Sequence, residues 1–131
     1  MSLEELRNYC LAKKAVTEEF PFDEVTLVFK VCGKIFALAN IADEILSINL
    51  KCSPEKAIEL REQYDFVFPG YHMNKKHWNT IALRSNVPKK LVLEWIDESY
   101  DLVVAQLPKK LREKFWVQPE IRQGRKPISD R

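Results

Sequence analysis

Glycine is scarce in this chain: Gly33, Gly70 and Gly124 are the only three in 131 residues. Dinucleotide and P-loop sites need several glycines at fixed spacing so that backbone N–H groups can close on phosphate, and neither pattern occurs. The G-x-S-x-G elbow of the serine hydrolases is missing as well. Cysteine is limited to Cys10, Cys32 and Cys52, an odd number with no C-x-x-C pair, which excludes a disulfide framework and a zinc ribbon. The three thiols therefore read as small reduced side chains in apolar surroundings. His72 and His77 are the only histidines, and no carboxylate or thiol near them completes a set of three or four metal ligands. No metal and no cofactor are expected. No apolar run approaches the roughly 18 residues that cross a bilayer, and the chain starts MSLEELRNYC, with acids where a secretory leader has bases. A cytoplasmic protein with no membrane contact is expected.

What is present describes one globular domain. A hydrophobic content of 46% and a charged content of 31% suit a chain that closes a real core. The net charge of +2 hides an asymmetry. From Ala105 to Arg131 eight bases face three acids, a local +5, and Phe66 to Leu93 holds Lys75, Lys76, Arg84, Lys89 and Lys90 without one Asp or Glu.

Hydrophobic spacing divides the chain into elements. Ser2 and Glu5 form a capping box, and Leu3, Leu6 and Cys10 keep helical spacing, so a first helix is expected from about Leu3 to Val16. Val25 to Val31 alternates with period two, Cys32-Gly33 is a tight turn, and Lys34 to Asn40 is the return strand. A third strand covers Leu46 to Lys51, with Ile48 and Leu50 inward and Ser47 and Asn49 outward. Ser53-Pro54 starts a second helix that ends near Gln63, short strands are expected at Phe66 to Phe68 and Trp78 to Leu83, and Pro88 announces a third helix reaching Leu107. KKLREKFW adds a turn or two, and Gln118 to Arg131 reads as a flexible basic tail after a domain of residues 1–117. The fold class is α+β, order α-βββ-α-ββ-α, with a mostly antiparallel sheet, helices on one face, and the other face open to a partner.

Chemistry concentrates in PGYHMNKKHWNT, Pro69 to Thr80. Three readings of it stand side by side. In the first, Lys75, Lys76, Arg84, Lys89 and Lys90 contact the phosphates of DNA or RNA, His77 donates, and Asn74 and Asn79 meet base edges or backbone, with Tyr71 and Trp78 as stacking surfaces. In the second, Tyr71, His72, Asn74 and Trp78, with His77 and Asn79 beside them, form a small-ligand pocket or an active site. In the third, Pro69, Gly70 and Trp78 only shape a connection between strands. Lys89 and Lys90 also sit in a first helical turn, where the macrodipole favours acids.

The strings FKVCGKIFAL, SINLKCSPEKAIELREQY, PGYHMNKKHWNTI and ESYDLVVAQLPKKLR, in order from about Glu5 to Arg112, resemble the MmcQ/YjbR-like family of small bacterial proteins. The resemblance implies an α+β fold similar to the frataxin or CyaY-like architecture. It also implies DNA as a candidate partner, because members are commonly labelled DNA-binding through a likeness to a double-wing domain whose sheet meets DNA. The family motif is matched at Pro69, Gly70, Tyr71, His72, Asn74, Lys75, His77, Trp78 and Asn79. No catalytic assignment comes with it. The iron role of frataxin-like folds needs an acidic ridge, which Lys13, Lys14, Lys30, Lys34 and Lys51 interrupt here. A monomeric nucleic-acid-binding module is the leading expectation, and a small-ligand-binding protein or enzyme the alternative.

Overall fold

The computed structural model describes residues 1–71 and 73–116. The expected tail from Gln118, the domain boundary before it and His72 lie outside the described residues. The elements run α1 (Leu3–Leu11), β1 (Val16–Glu19), β2 (Thr26–Val31), β3 (Lys34–Asn40), β4 (Ser47–Lys51), α2 (Pro54–Gln63), β5 (Val67–Pro69), β6 (Trp78–Ala82), α3 (Lys89–Ala105) and α4 (Lys109–Trp116). All six strands join one antiparallel sheet in the order β1-β2-β3-β4-β6-β5. The α+β class with helices on one face is therefore correct, with one strand and one helix more than the expected order.

The extra strand corrects the reach of the first helix. Ser2 caps α1 as expected, its hydroxyl accepting from Glu5 N–H while Glu5 accepts from Ser2 N–H. The helix stops at Leu11 because the apolar spacing runs out there, and Ala15 takes a left-handed φ of 63° that turns the chain. The β-branched Val16 and Thr17 then pair with Val31 and Lys30 of β2. At the other hairpin both central residues have positive φ, Cys32 at 50° and Gly33 at 82°, as a two-residue turn between twisted strands requires.

One face of the sheet carries the core. Phe29, Ala39, Ile48, Leu50 and Ile81 point at the helices and meet Leu6 and Cys10 of α1, Leu60 of α2 and Val92, Trp95, Ile96 and Tyr100 of α3. Fully buried side chains such as Phe29 and Ile48 contribute about 1.5–3 kcal/mol each. A bulge opposite Phe29 and Lys30 inserts Phe36 into β3. Ser99, buried in α3, donates to the Phe36 carbonyl at 2.6 Å and accepts from Lys51 N–H at 2.9 Å, so it bridges the two strand ends where the bulge disturbs the ladder. Phe115 of α4 closes the base of the core, packed edge-on against Tyr100.

Candidate functional site

The segment from Gly70 to Trp78 connects β5 to β6 and is organised by its own polar groups. Asn74 Oδ1 accepts from Lys76 N–H at 2.8 Å, its carbonyl accepts from His77 and Trp78 N–H, and Lys75 Nζ donates to the Gly70 carbonyl at 2.9 Å. Gly70 N–H donates to the Trp78 carbonyl at 2.9 Å. From the helical side Arg61 of α2 grips the same segment: Nε donates to Asn79 Oδ1 at 2.7 Å, and Nη2 donates to the carbonyls of Lys75 and Trp78. An arginine fork suits this work because its donors are planar and fixed.

These contacts sort the residues expected to recognise a ligand. Asn79 is 2% exposed; its amide accepts from Arg61 and donates to the Ala57 carbonyl at 3.2 Å and to Cys52 Sγ at 3.8 Å. It ties β6 to α2, and the side chain that was expected to meet nucleic acid faces the helix layer. Asn74 spends its oxygen on the turn, and Trp78 is half-buried opposite Lys51. Lys75, Lys76 and Lys90 are exposed and His77 is half-buried. Lys89 pairs with Glu5 at 2.5 Å, which answers the electrostatic conflict at the start of α3: the acid comes from the first turn of α1. Lys75 and Lys76 precede β6 and Lys89 and Lys90 follow it, so the strand, roughly 17 Å long, holds the two pairs apart.

The face of the sheet away from the helices is concave and forms a cleft of about 1000 Å³. Its floor is laid by Asn40 of β3, Ser47 and Asn49 of β4 and Thr80 and Ala82 of β6, which the register brings side by side. Leu38 of β3 lies beside Asn49 in the same floor, and around it stand Phe22, Ile45, Phe68, Tyr71 and Met73, with Arg84, Asp23, Asp43 and Glu44 also in the lining. Of the residues singled out from sequence, Tyr71, 66% exposed, and Arg84 belong to this cleft. Arg84 lies 3.8 Å from the exposed Asp65 carboxylate, with its guanidinium 5.8 Å from the centre of the Phe68 ring. The floor residues were visible in sequence only as the outward positions of alternating strands; polar residues there are ordinary, and only the curvature makes them a site.

One carboxylate of the cleft and two thiols away from it are held in set states. Asp23 accepts from Val25 and Thr26 N–H and from the Thr26 hydroxyl, which lowers its carboxyl below the usual range. Burial pushes the Cys10 thiol up to about 12 and raises that of Cys52, so neither is a thiolate nucleophile at neutral pH. Among the described residues no three His, Cys, Asp or Glu converge on a metal position. No described helix is long and apolar enough to cross a membrane.

Known proteins share this architecture. A crystal structure of Deinococcus radiodurans protein DR2400, with domain DUF419, superposes with a TM-score of 0.82 at 39% identity over 86% of each chain. A Pseudomonas syringae protein superposes at 0.68 with 27% identity, covering 78% of this chain and 98% of that one. In sequence, the uncharacterised Escherichia coli K12 protein YjbR is 34% identical over 112 residues, 86% of this chain and 95% of its own. YbdF of Escherichia coli O157:H7 is 38% identical over 91 residues, 70% of this chain and 75% of its own. A family model described as YjbR matches residues 11–102, from the end of α1 into α3, and with it the chain belongs to the YjbR family.

Proposed function

We propose that this protein binds a small organic molecule in the concave open face of its sheet. The observation that carries the reading is the make-up of the cleft: a polar floor of Asn40, Ser47, Asn49 and Thr80 between apolar and aromatic walls, in a volume of about 1000 Å³. Small-molecule sites combine apolar walls with a few placed polar groups in this way, at roughly 300–1000 Å³. A ligand-observed NMR screen of soluble metabolite-like compounds tests the reading against Ala82→Trp, which puts an indole onto the floor beside Ser47. The expected result is compounds that bind the wild type and lose binding in the variant while its melting temperature is held. Ligands indifferent to the indole would place binding elsewhere, and a screen without hits would remove the proposal.

Phosphate contact by Lys75, Lys76 and Lys90 is the second reading, supported by their exposure and by the absence of acids from Phe66 to Leu93. Asp43 and Glu44 in the cleft weigh against the sheet surface as the place where a polyanion lies.

A further inference from the structure

The floor of the cleft has a chemical polarity that follows from bonds already made. Asn40 Oδ1 accepts from Ala42 N–H at 3.0 Å, and a backbone N–H requires an oxygen opposite it, so the orientation of that amide is fixed. Asn49 is fixed by a longer chain. Thr80 Oγ1 accepts from Tyr71 N–H at 3.0 Å and its hydroxyl donates to Asn49 Oδ1. Both amide oxygens are thereby occupied from within the protein. Both Nδ2 groups are left as donors, without a hydrogen-bond partner among the described residues. Asn40 lies opposite Ser47, and Asn49 opposite Leu38, on adjacent strands of the open face. The two amides are thus close neighbours, roughly 5 Å across the strands and 7 Å along them. Arg84 adds a third donor group to the lining, with a long contact to Asp65 and the Phe68 ring beneath its guanidinium.

We infer that the cleft selects ligands that present a carboxylate or amide carbonyl oxygen to Asn40 and Asn49 and an apolar body to Phe22, Leu38, Phe68 and Tyr71. The inference rests on the proposed ligand cleft and names the chemistry of its occupant. A floor of donors with committed acceptors pairs with an acceptor, whereas an ammonium group set on that floor meets N–H groups and finds acceptors only in the carboxylates elsewhere in the lining. Asp43 and Glu44 disfavour a multiply charged anion such as a phosphomonoester, so the acceptor carries one negative charge or none.

Four probes with one body decide it: phenylpropanoate, phenylpropanamide, phenylpropanol and phenylpropylamine, titrated into the ¹⁵N-labelled full chain. The acid and the amide are expected to shift the side-chain amide signals of Asn40 and Asn49 and to bind about tenfold more tightly than the amine, the worth of one to two good hydrogen bonds. Asn40→Asp/Asn49→Asp keeps both internal acceptors and replaces both donors, so it is expected to reverse the preference in favour of the amine. Equal binding of all four probes, still blocked by Ala82→Trp, would overturn the donor-floor inference and leave the cleft standing. Failure of every probe to bind the wild type would overturn both.

Discussion

Gly70 is held by space and not by backbone freedom. A Cβ placed there would lie 2.9 Å from both the Trp78 Cβ and the Trp78 carbonyl oxygen, closer than packed atoms approach. Gly33 is the opposite case: its φ of 82° calls for glycine while nothing lies within 4 Å of where a Cβ would stand. Gly70→Ala is therefore expected to push β5 from β6 and cost about 1–3 kcal/mol, the usual range for overpacking a tight contact. Urea denaturation followed by tryptophan fluorescence measures it, and a cost near zero would mean that the β5–β6 connection gives way freely. Asn74 and Asn79 teach the same lesson about context. In sequence they are alike, two amides in one polar string; in the fold one closes a solvent-exposed turn and the other is sealed between β6 and α2 by Arg61 and Ala57. Arg61 lies outside the string that drew notice, and only its fork into that string reveals it.

At the scale of elements, α1 and α3 are joined by a pair that serves three helix-end tasks. Glu5 completes the α1 capping box, supplies the acid missing from the first turn of α3, and links the two helices through Lys89. The hydrogen bond from Lys89, followed by the one from Ser2 N–H, holds the Glu5 carboxyl at about 2 instead of its ordinary 4.5. Because the folded value is the lower one, the contribution is present in full above pH 4.5 and is lost as pH falls towards 2. Glu5→Gln is expected to flatten that part of the acid limb, read as the change in melting temperature between the two pH values. An unchanged limb would show that the pair is not formed in solution. Glu18, lowered by its bond to Arg7, remains in the variant as the background against which the difference is measured. The elements themselves were largely legible: Lys34–Asn40 and the span from the Ser53 cap to Gln63 coincide with their expected bounds, because turn chemistry and capping act locally. β1 was hidden, since VTEE becomes a strand only by pairing with β2. Ser99 was hidden too: a serine in a helix looks like surface until the bulge at Phe36 gives it two backbone partners.

At the scale of the whole molecule, charge and curvature separate two groups of residues that the sequence leaves superimposed. Tyr71 and Arg84, singled out in sequence, line the cleft, and Thr80 and Ala82 lie in the same acid-free window, but Asn40, Ser47 and Asn49 come from β3 and β4, remote in sequence, and join them only by strand order. The same strand order scatters the bases. Lys75 and Lys76 lie before β6 and Lys90 lies beyond it, with the acidic side chains of Asp43 and Glu44 in the cleft of the open face. A nucleic acid held by the β5–β6 connection alone would draw its phosphate contacts from Lys75 and Lys76. Each neutralised phosphate contributes about −0.9 to the slope of log affinity against log salt on duplex DNA. By fluorescence anisotropy on a labelled duplex, Lys75→Glu/Lys76→Glu is expected to reduce that slope by about 2, while Lys90→Glu leaves it unchanged. If Lys90→Glu also reduces the slope, one nucleic acid spans both ends of β6, and the sheet would have to be considered a nucleic-acid surface before a ligand cleft. If neither variant alters it, the lysines of the motif are a solvated edge and phosphate contact by the β5–β6 connection is overturned.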